Sequence, residues 1–161
     1  MNKEQIKKEF LRVLEENAKD YKIYEHEPVL DFDKAAEIAE RFGLTGKETK
    51  SLFIKGKSGK YYMFLTTEDK KMDSKKVKEI LGEKVNIVSS NEMVEILGCE
   101  PGCLPPFGYD KKTIDTIIVD QEVFEYERFI CSSGIPEMTI ETETKYLKGL
   151  LDVSYDKLYF I

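Results

Sequence analysis

Four short stretches of this chain hold residues that could do chemistry. The densest is "CEPGCLPPFGYD", Cys99–Asp110, which packs two cysteines, two glycines and three prolines into a dozen residues. Thiolates bind metals, but Cys99 and Cys103 are four apart, no CxxC occurs, and the single histidine, His26, lies far upstream. That spacing does not match a structural zinc site, and no metal is expected. A cysteine nucleophile needs a base, so His26 would have to fold back onto Cys103 or Cys131. The three cysteines cannot all pair within the chain, and free thiols in a reducing compartment are expected.

The backbone of the same stretch is the other candidate. Pro101-Gly102 makes a turn in which Gly102 can adopt positive φ. Pro105 and Pro106 fix their own φ, and Pro106 biases Pro105 toward an extended conformation. A loop this stiff can hold the N–H groups of Gly102, Cys103 and Leu104 toward a pocket, where a bound carbonyl or a developing oxyanion needs donors. It can equally be a rigid helix-to-strand connector. Both readings stand on the residues alone.

Lys50 opens "KSLFIKG", where apolar neighbours predict a buried strand. A buried amine needs a partner or a ligand, whereas one at a strand end snorkels to water. In "CSSGIPE", Ser132, Ser133 and Gly134 leave a strand with hydroxyls that could bind a phosphate or ribose, or satisfy a turn. His26, in "YEHEPV", is a lone histidine with no nucleophile beside it in sequence. No Rossmann or P-loop glycine spacing occurs, and neither GxSxG nor HExxH is present, so no cofactor is expected.

These residues must be positioned by a chain of 161 residues, 41% hydrophobic and 35% charged, which predicts one folded domain over 1–161. No apolar run approaches the ~20 residues that span a bilayer, and "MNKEQIKKEF" lacks the apolar core of a signal peptide. A cytoplasmic protein without a membrane partner is the expectation. The net charge of −6 argues against nonspecific nucleic-acid binding. Charge is uneven, however: Lys47 to Lys84 carries eleven Lys or Arg against six Asp or Glu. That local excess is either a solvated surface or a contact for a polyanion.

Helical spacing of Ile6, Phe10, Val13 and Leu14 predicts an N-terminal amphipathic helix over 2–18. "YKIYEH" reads as a strand, and Asp31 or Asp33 can cap a helix that ends at Gly43. "TKSLFIKGKSGKYYMFLTT" is a β-hairpin turning near Lys57 to Lys60. "DSKKVKEILGEK" and "SSNEMVEILGCE" are short helices around the strand "VNIVS", with Ser89 and Glu92 in a capping-box pattern. "IDTIIVD", "FEYERFICSS" and "EMTIE" read as strands and "TETKYLKGLL" as a helix, followed by an aromatic tail over 152–161 that must dock on something. The fold class is α/β or α+β, with a curved, partly barrel-like mixed sheet flanked by helices.

Taken together, "TKSLFIKGKSGKYYMFLTTEDKKMDSKKVKEILG", "EPGCLPPFG" and "FICSSG" resemble the YbaK/ProX-like aminoacyl-tRNA deacylases, free-standing relatives of the prolyl-tRNA synthetase editing domain. The likeness runs from about Tyr21 to Leu151; its most specific parts are the lysine of K-x-L-F and the G-x-x-x-P loop, Gly102 to Pro106. The resemblance implies hydrolysis of the ester joining a wrong amino acid to the terminal adenosine of a tRNA. Lys50 takes the position of the essential lysine, and Gly102, Cys103, Leu104, Pro105 and Pro106 would hold the aminoacyl group. His26, Ser132, Ser133 and Gly134 are further substrate-binding candidates, and Lys55, Lys57 and Lys60 would receive the acceptor stem. The partners implied are a mischarged tRNA, most simply tRNA-Pro carrying cysteine, alanine or a similar small residue, and prolyl-tRNA synthetase itself. Ser51 follows Lys50 where alanine-clearing members carry asparagine, and "FICSSG" replaces their His-Pro pair. Ser132 to Gly134 look more like the branch acting on cysteinyl-tRNA, although Thr139 stands where that branch often has aspartate.

Three other classes fit the same residues. A tRNA-end or nucleotide-binding module would bind without turnover. A synthetase-associated interaction protein would use the aromatic tail, Tyr155, Tyr159 and Phe160. A cysteine-dependent enzyme would require Cys103.

Overall fold

The computed structural model describes all of residues 1–161. The first helix, α1 (Lys3–Asn17), starts where Asn2 and Gln5 bond reciprocally, a full capping box. Strand β1 (Tyr21–Glu25) leads to α2 (Phe32–Phe42), which Asp31 caps by accepting from the Lys34 N–H and Gly43 ends at φ 67°. The hairpin is β2 (Lys47–Gly56) and β3 (Tyr61–Thr67). Then come α3 (Ser74–Leu81), β4 (Val85–Ile87) and α4 (Ser90–Leu97). Ser89 caps α4, but the Glu92 carboxylate turns away to Tyr61 and Lys55, so only half of that capping box forms.

The C-terminal part differs from the sequence reading at two places. Phe124 and Glu125 lie in a 3-10 turn, Gln121–Glu125, because the Asp120 side chain accepts from the Glu122 N–H and starts a helical turn. Strand β6 therefore begins only at Arg128 and runs to Ser132, after β5 (Thr116–Val119). Strand β7 (Met138–Glu143) keeps Thr142 and Glu143; one 3-10 turn then leads into α5 (Leu147–Ser154). The tail docks as a strand, β8 (Lys157–Phe160), parallel to β5.

All eight strands join one mixed sheet in the order β1-β7-β6-β2-β3-β5-β8, with β4 beside β2. Edge strands β1 and β8 do not meet, so the sheet is not closed into a barrel. The strand that matters is β2. It pairs with β3 along Thr49–Lys55, but on its other side it meets β6 only at Lys47 and Glu48, and β4 only at Ile54–Gly56. The stretch between has a sheet partner on one side and an opening on the other.

Helices α1, α4 and α5 bury Ile6, Phe10, Leu14, Leu97, Leu147 and Leu151 with the inward residues of the sheet in the main core. A smaller cluster, Ile54, Phe64, Val77 and Ile118, lies under α3. Phe10 stacks on Phe107 at 4.6 Å between ring centroids, which ties α1 to the Pro/Gly stretch. Phe10 is fully buried. Phe10→Ala should therefore lower the unfolding free energy by ~3–5 kcal/mol in urea denaturation, and a loss below about 1 kcal/mol would contradict this packing.

Candidate functional site

A cavity of about 330 Å³ occupies the opening beside β2. Glu48, Lys50 and Leu52 line it from the strand, Phe32 and Ala35 from α2, Gly102 and Leu104 from the Pro/Gly stretch, and Ser132 and Thr139 from β6 and β7. Alternation in a strand puts Glu48, Lys50 and Leu52 on one face. Ser132 and Thr139 are register partners, and Ile130, two residues before Ser132, pairs with Glu48. The polar residues of three adjacent strands thus share a face.

Lys50 lies in mid-strand, since β2 starts three residues earlier than its apolar run suggests. The other lysines of the hairpin are mostly engaged: Lys47 with Asp69, Lys55 with Glu92 and Lys60 with Asp115. Lys50 makes no such pair and stands at the cavity wall without a carboxylate partner. Lys55 and Lys57 line a separate depression at the far end of β2, with Lys84 and Glu92. From Lys50 to Lys55 the strand rises ~16 Å. The structure does not bring Lys55, Lys57 and Lys60 to the cavity, and carboxylates offset two of their three charges.

The Pro/Gly stretch splits into a wall and an anchor. Glu100 to Cys103 form a tight turn with Pro101 second and Gly102 third at φ 87°, closed by the Cys103 N–H donating to the Glu100 carbonyl at 3.2 Å. That bond removes the Cys103 amide from the three donors expected to face a ligand. The Gly102 and Leu104 N–H groups donate to no other group of the chain. Cys103, Pro105 and Pro106 are buried behind the wall and do not line the cavity. Their carbonyls explain why: the Tyr109 hydroxyl donates to the Pro105 carbonyl and the Tyr155 hydroxyl to the Pro106 carbonyl, each at 2.6 Å. Both tyrosines are buried, so the prolines are pinned to the core from beneath.

Of the "CSSG" residues, Ser132 reaches the cavity and its hydroxyl donates to the Gly102 carbonyl at 3.1 Å, clasping the turn. Ser133 is fully buried with an unpartnered hydroxyl, and Gly134, at φ 109°, packs against the α1 backbone. Neither touches the cavity. His26 stands one residue behind it. Its Nδ1 is 2.7 Å from the Glu27 carbonyl and its Nε2 is 2.7 Å from Thr139 Oγ1. Both ring nitrogens are engaged, and neither cysteine lies at hydrogen-bonding distance from the ring.

The cysteines are poor nucleophiles here. Burial pushes the Cys103 thiol up to about 11, helped by Glu100, and the Cys99 thiol up to about 12. Cys131 lines the cavity, but burial also raises its thiol far above the ordinary value. No three His, Cys, Asp or Glu side chains converge as a metal-ligand set. A larger depression, about 600 Å³, lies between α1 and Gly108–Lys111. Its guanidinium, Arg12, is already paired with Glu9 and Glu16, and none of the expected site residues reaches it.

Glu48 is the residue that sequence reasoning missed. Burial, with repulsion from Glu68, pushes its carboxyl up to about 7, and no donor of the chain bonds it. Its signal was available as a charged residue two before Lys50, hence on the same strand face. The folded protein holds a proton on Glu48 at pH values where the unfolded chain, with an ordinary carboxyl near 4.5, has released it. The stability this group contributes is full below about 4.5 and is lost as pH rises through about 7. Wild type should lose on the order of 2 kcal/mol relative to Glu48→Gln between pH 5 and pH 8, read from urea unfolding at both. Parallel pH dependence of the two proteins would refute the burial of an unpaired carboxyl.

The aminoacyl-tRNA editing domain family matches residues 26–150, which span both Lys50 and the Gly102–Pro106 loop. The uncharacterized protein YwhH of Bacillus subtilis is 26% identical over 126 residues, 76% of each chain. The proline-tRNA ligase of Bacillus licheniformis is 33% identical over 78 residues, 47% of this chain and 14% of the ligase. Two solved structures share the fold. The hypothetical protein APE2540 superposes with a TM-score of 0.76 at 19% identity, covering 94% of this chain and 97% of its own. A protein proposed as a trans-editing enzyme for prolyl tRNA synthetase superposes with a TM-score of 0.73 at 22% identity, covering 96% and 95%. With a match over most of its length and the two motif elements meeting at one cavity, the chain belongs to the aminoacyl-tRNA editing domain family.

Proposed function

We propose that this protein is an aminoacyl-tRNA deacylase that hydrolyses the ester of a mischarged tRNA, with tRNA-Pro bearing a small amino acid as substrate. The observation that carries the reading is that Lys50, which has no ion-pair partner, lines one cavity together with Gly102 and Leu104, whose N–H groups have no partner in the chain. An amine and two backbone donors around one space can bind a phosphate, orient an ester carbonyl and stabilise the oxyanion formed when water adds to it. Collapse of that adduct breaks the bond to the ribose oxygen, which takes a proton and leaves as the hydroxyl. The ester is already activated, so positioning can supply most of the rate without a nucleophilic triad.

The neighbouring ribose hydroxyl of the substrate can relay the proton from the attacking water. The tRNA body would then extend toward the hairpin end, where Lys55, Lys57 and Lys60 lie. The match to part of a proline-tRNA ligase supports the choice of tRNA-Pro, and a synthetase that delivers the charged tRNA is the natural partner. A cavity of about 330 Å³, partly filled by the terminal adenosine, suits a small amino acid. The cysteine-dependent alternative has no support, because the Cys103 sulfur lies outside the cavity and its thiol is held protonated.

Purified protein should release alanine or cysteine from mischarged tRNA-Pro and spare correctly charged prolyl-tRNA. Lys50→Ala should lower kcat/KM by ~10²–10³-fold, as loss of one preorganised donor does elsewhere. Cys103→Ala should keep turnover within about threefold, since the loop acts through its backbone. Full activity in Lys50→Ala would refute the role given to Lys50, and binding of the tRNA without any release would refute the deacylase reading.

A further inference from the structure

Three residues lining the cavity carry a carboxyl or a thiol: Asp31, Glu48 and Cys131. Asp31 is committed to capping α2, where it accepts from the Lys34 N–H, and burial keeps the Cys131 proton on sulfur. Glu48 alone has no donor in the chain. Its place follows from the fork in the sheet. Glu48 and Ile130 form the last pair between β2 and β6; one rung on, Lys50 and Ser132 border the opening. Glu48 therefore stands at the closed end of the cavity, two residues and ~7 Å along the strand from Lys50 and on the same face. One carbonyl and one water can bridge that span.

The charged groups around it are accounted for. The Glu68 N–H donates to the Glu48 carbonyl, so Glu68 stands opposite it at the end of β3, where it is partly exposed. On the β6 and β7 side Arg128 and Glu141 are paired with each other, and on α2 Lys34 and Arg41 are paired with Glu27 and Glu37. Burial, with repulsion from Glu68, pushes the Glu48 carboxyl up to about 7, the range in which a base takes protons well and is still ionised just above neutrality.

We propose that Glu48 is the proton shuttle of the ester hydrolysis. The proposal rests on the deacylase reading above and adds the group that moves its proton. As the water oxygen bonds the carbonyl carbon, the Glu48 carboxylate takes one of the water's protons, and the carbonyl π electrons move onto oxygen, where Lys50 and the loop amides receive the charge. When the adduct collapses, the carbonyl re-forms and the bond to the ribose oxygen breaks. The protonated Glu48 then hands its proton to that oxygen. Glu48 ends as it began, and the amino acid leaves with the water's second proton on its carboxyl. Where the neighbouring ribose hydroxyl relays the first proton, it must hand on its own, and Glu48 is the acceptor in the cavity. His26 does not serve, because both its nitrogens are engaged by Glu27 and Thr139. A structural role explains Glu48 poorly: a carboxyl without a donor holds no element in place, and its ionisation in an enclosed site costs stability.

The test is single-turnover release of the amino acid from alanyl- or cysteinyl-tRNA-Pro, whichever wild type cleaves, with spontaneous hydrolysis subtracted at each pH. Glu48→Gln keeps the shape and cannot take the proton. At pH 8 it should be ~10²-fold slower, the lower end of what a positioned base contributes. The ratio of wild-type to variant rate cancels the titration of the substrate's own amine. That ratio should rise about tenfold from pH 6 to pH 8 and level there, following a carboxyl that titrates near 7. Glu48→Asp, which restores a carboxyl one methylene back, should regain the pH-dependent rise. Affinity for alanyl-adenosine with an amide in place of the ester should differ by less than about threefold between wild type and Glu48→Gln. A Gln variant within about threefold of wild type at pH 8, a ratio that does not change with pH, or a loss accounted for by weaker binding of the analogue overturns the shuttle and leaves the deacylase reading standing. Release from neither mischarged tRNA by folded wild type overturns both.

Discussion

Strand β2 cannot keep one partner along its whole length, and the site exists because of it. At its start it runs parallel to β6, and at its end it runs antiparallel to β4. Two different strands thus hold the two ends of one edge, and the gap between them falls beside Thr49 to Phe53. The Phe53 carbonyl accepts from the Val88 N–H at the β4 end, and the Thr49 hydroxyl bonds the Ile130 carbonyl at the β6 end, so both borders are closed. Between them an open strand edge would expose a row of unpaired backbone groups. Here α2 and the Pro101–Leu104 turn roof that edge and leave a chamber instead of an aggregation surface.

The roof must not collapse into the chamber, and the chain prevents this with buried hydroxyls. Tyr109 and Tyr155 hold the carbonyls of Pro105 and Pro106 from the core side, and Phe107 stacks on Phe10. Proline supplies no N–H, so these two residues leave only acceptors to satisfy, and one tyrosine serves each. Gly108 passes so close to α1 that a Cβ would sit 2.9 Å from the Ile6 carbonyl oxygen, at a φ of 113° that other residues rarely adopt. The helix, the loop and the aromatic C-terminal segment are thus one mechanical unit. Its output is two backbone N–H groups without partners in the wall of the cavity that Lys50 also lines.

Much of this could be read from residue order. The helices announced themselves through Asp31, Ser89 and their terminal glycines, and the hairpin through its alternation and turn. Lys50 and the turn at Gly102 were both identifiable, yet their meeting at one cavity depends on β2 changing partners, a long-range event with no local signal. Cys103, Pro105 and Pro106 read as ligand-facing because rigidity alone does not say which side of a loop faces inward; buried tyrosines far along the chain decide it. Phe124 and Glu125 looked like strand because aromatic and charged residues alternate there, but a single Asp120 side chain redirects the backbone. Glu48 escaped notice because a glutamate in a charged stretch reads as solvated, and only the fold encloses it. His26 was singled out, but its partner was hidden: Thr139 is 113 residues away in sequence.

The central claim is that Lys50 and the Gly102–Leu104 backbone line one chamber and that an aminoacyl nucleoside lies in it. A crystal structure of the protein with alanyl-adenosine in which an amide replaces the ester would test this most directly. The account predicts the amide oxygen within hydrogen-bonding distance of Lys50 or of the Gly102 and Leu104 amides. A ligand bound instead in the depression between α1 and Gly108–Lys111 would contradict it.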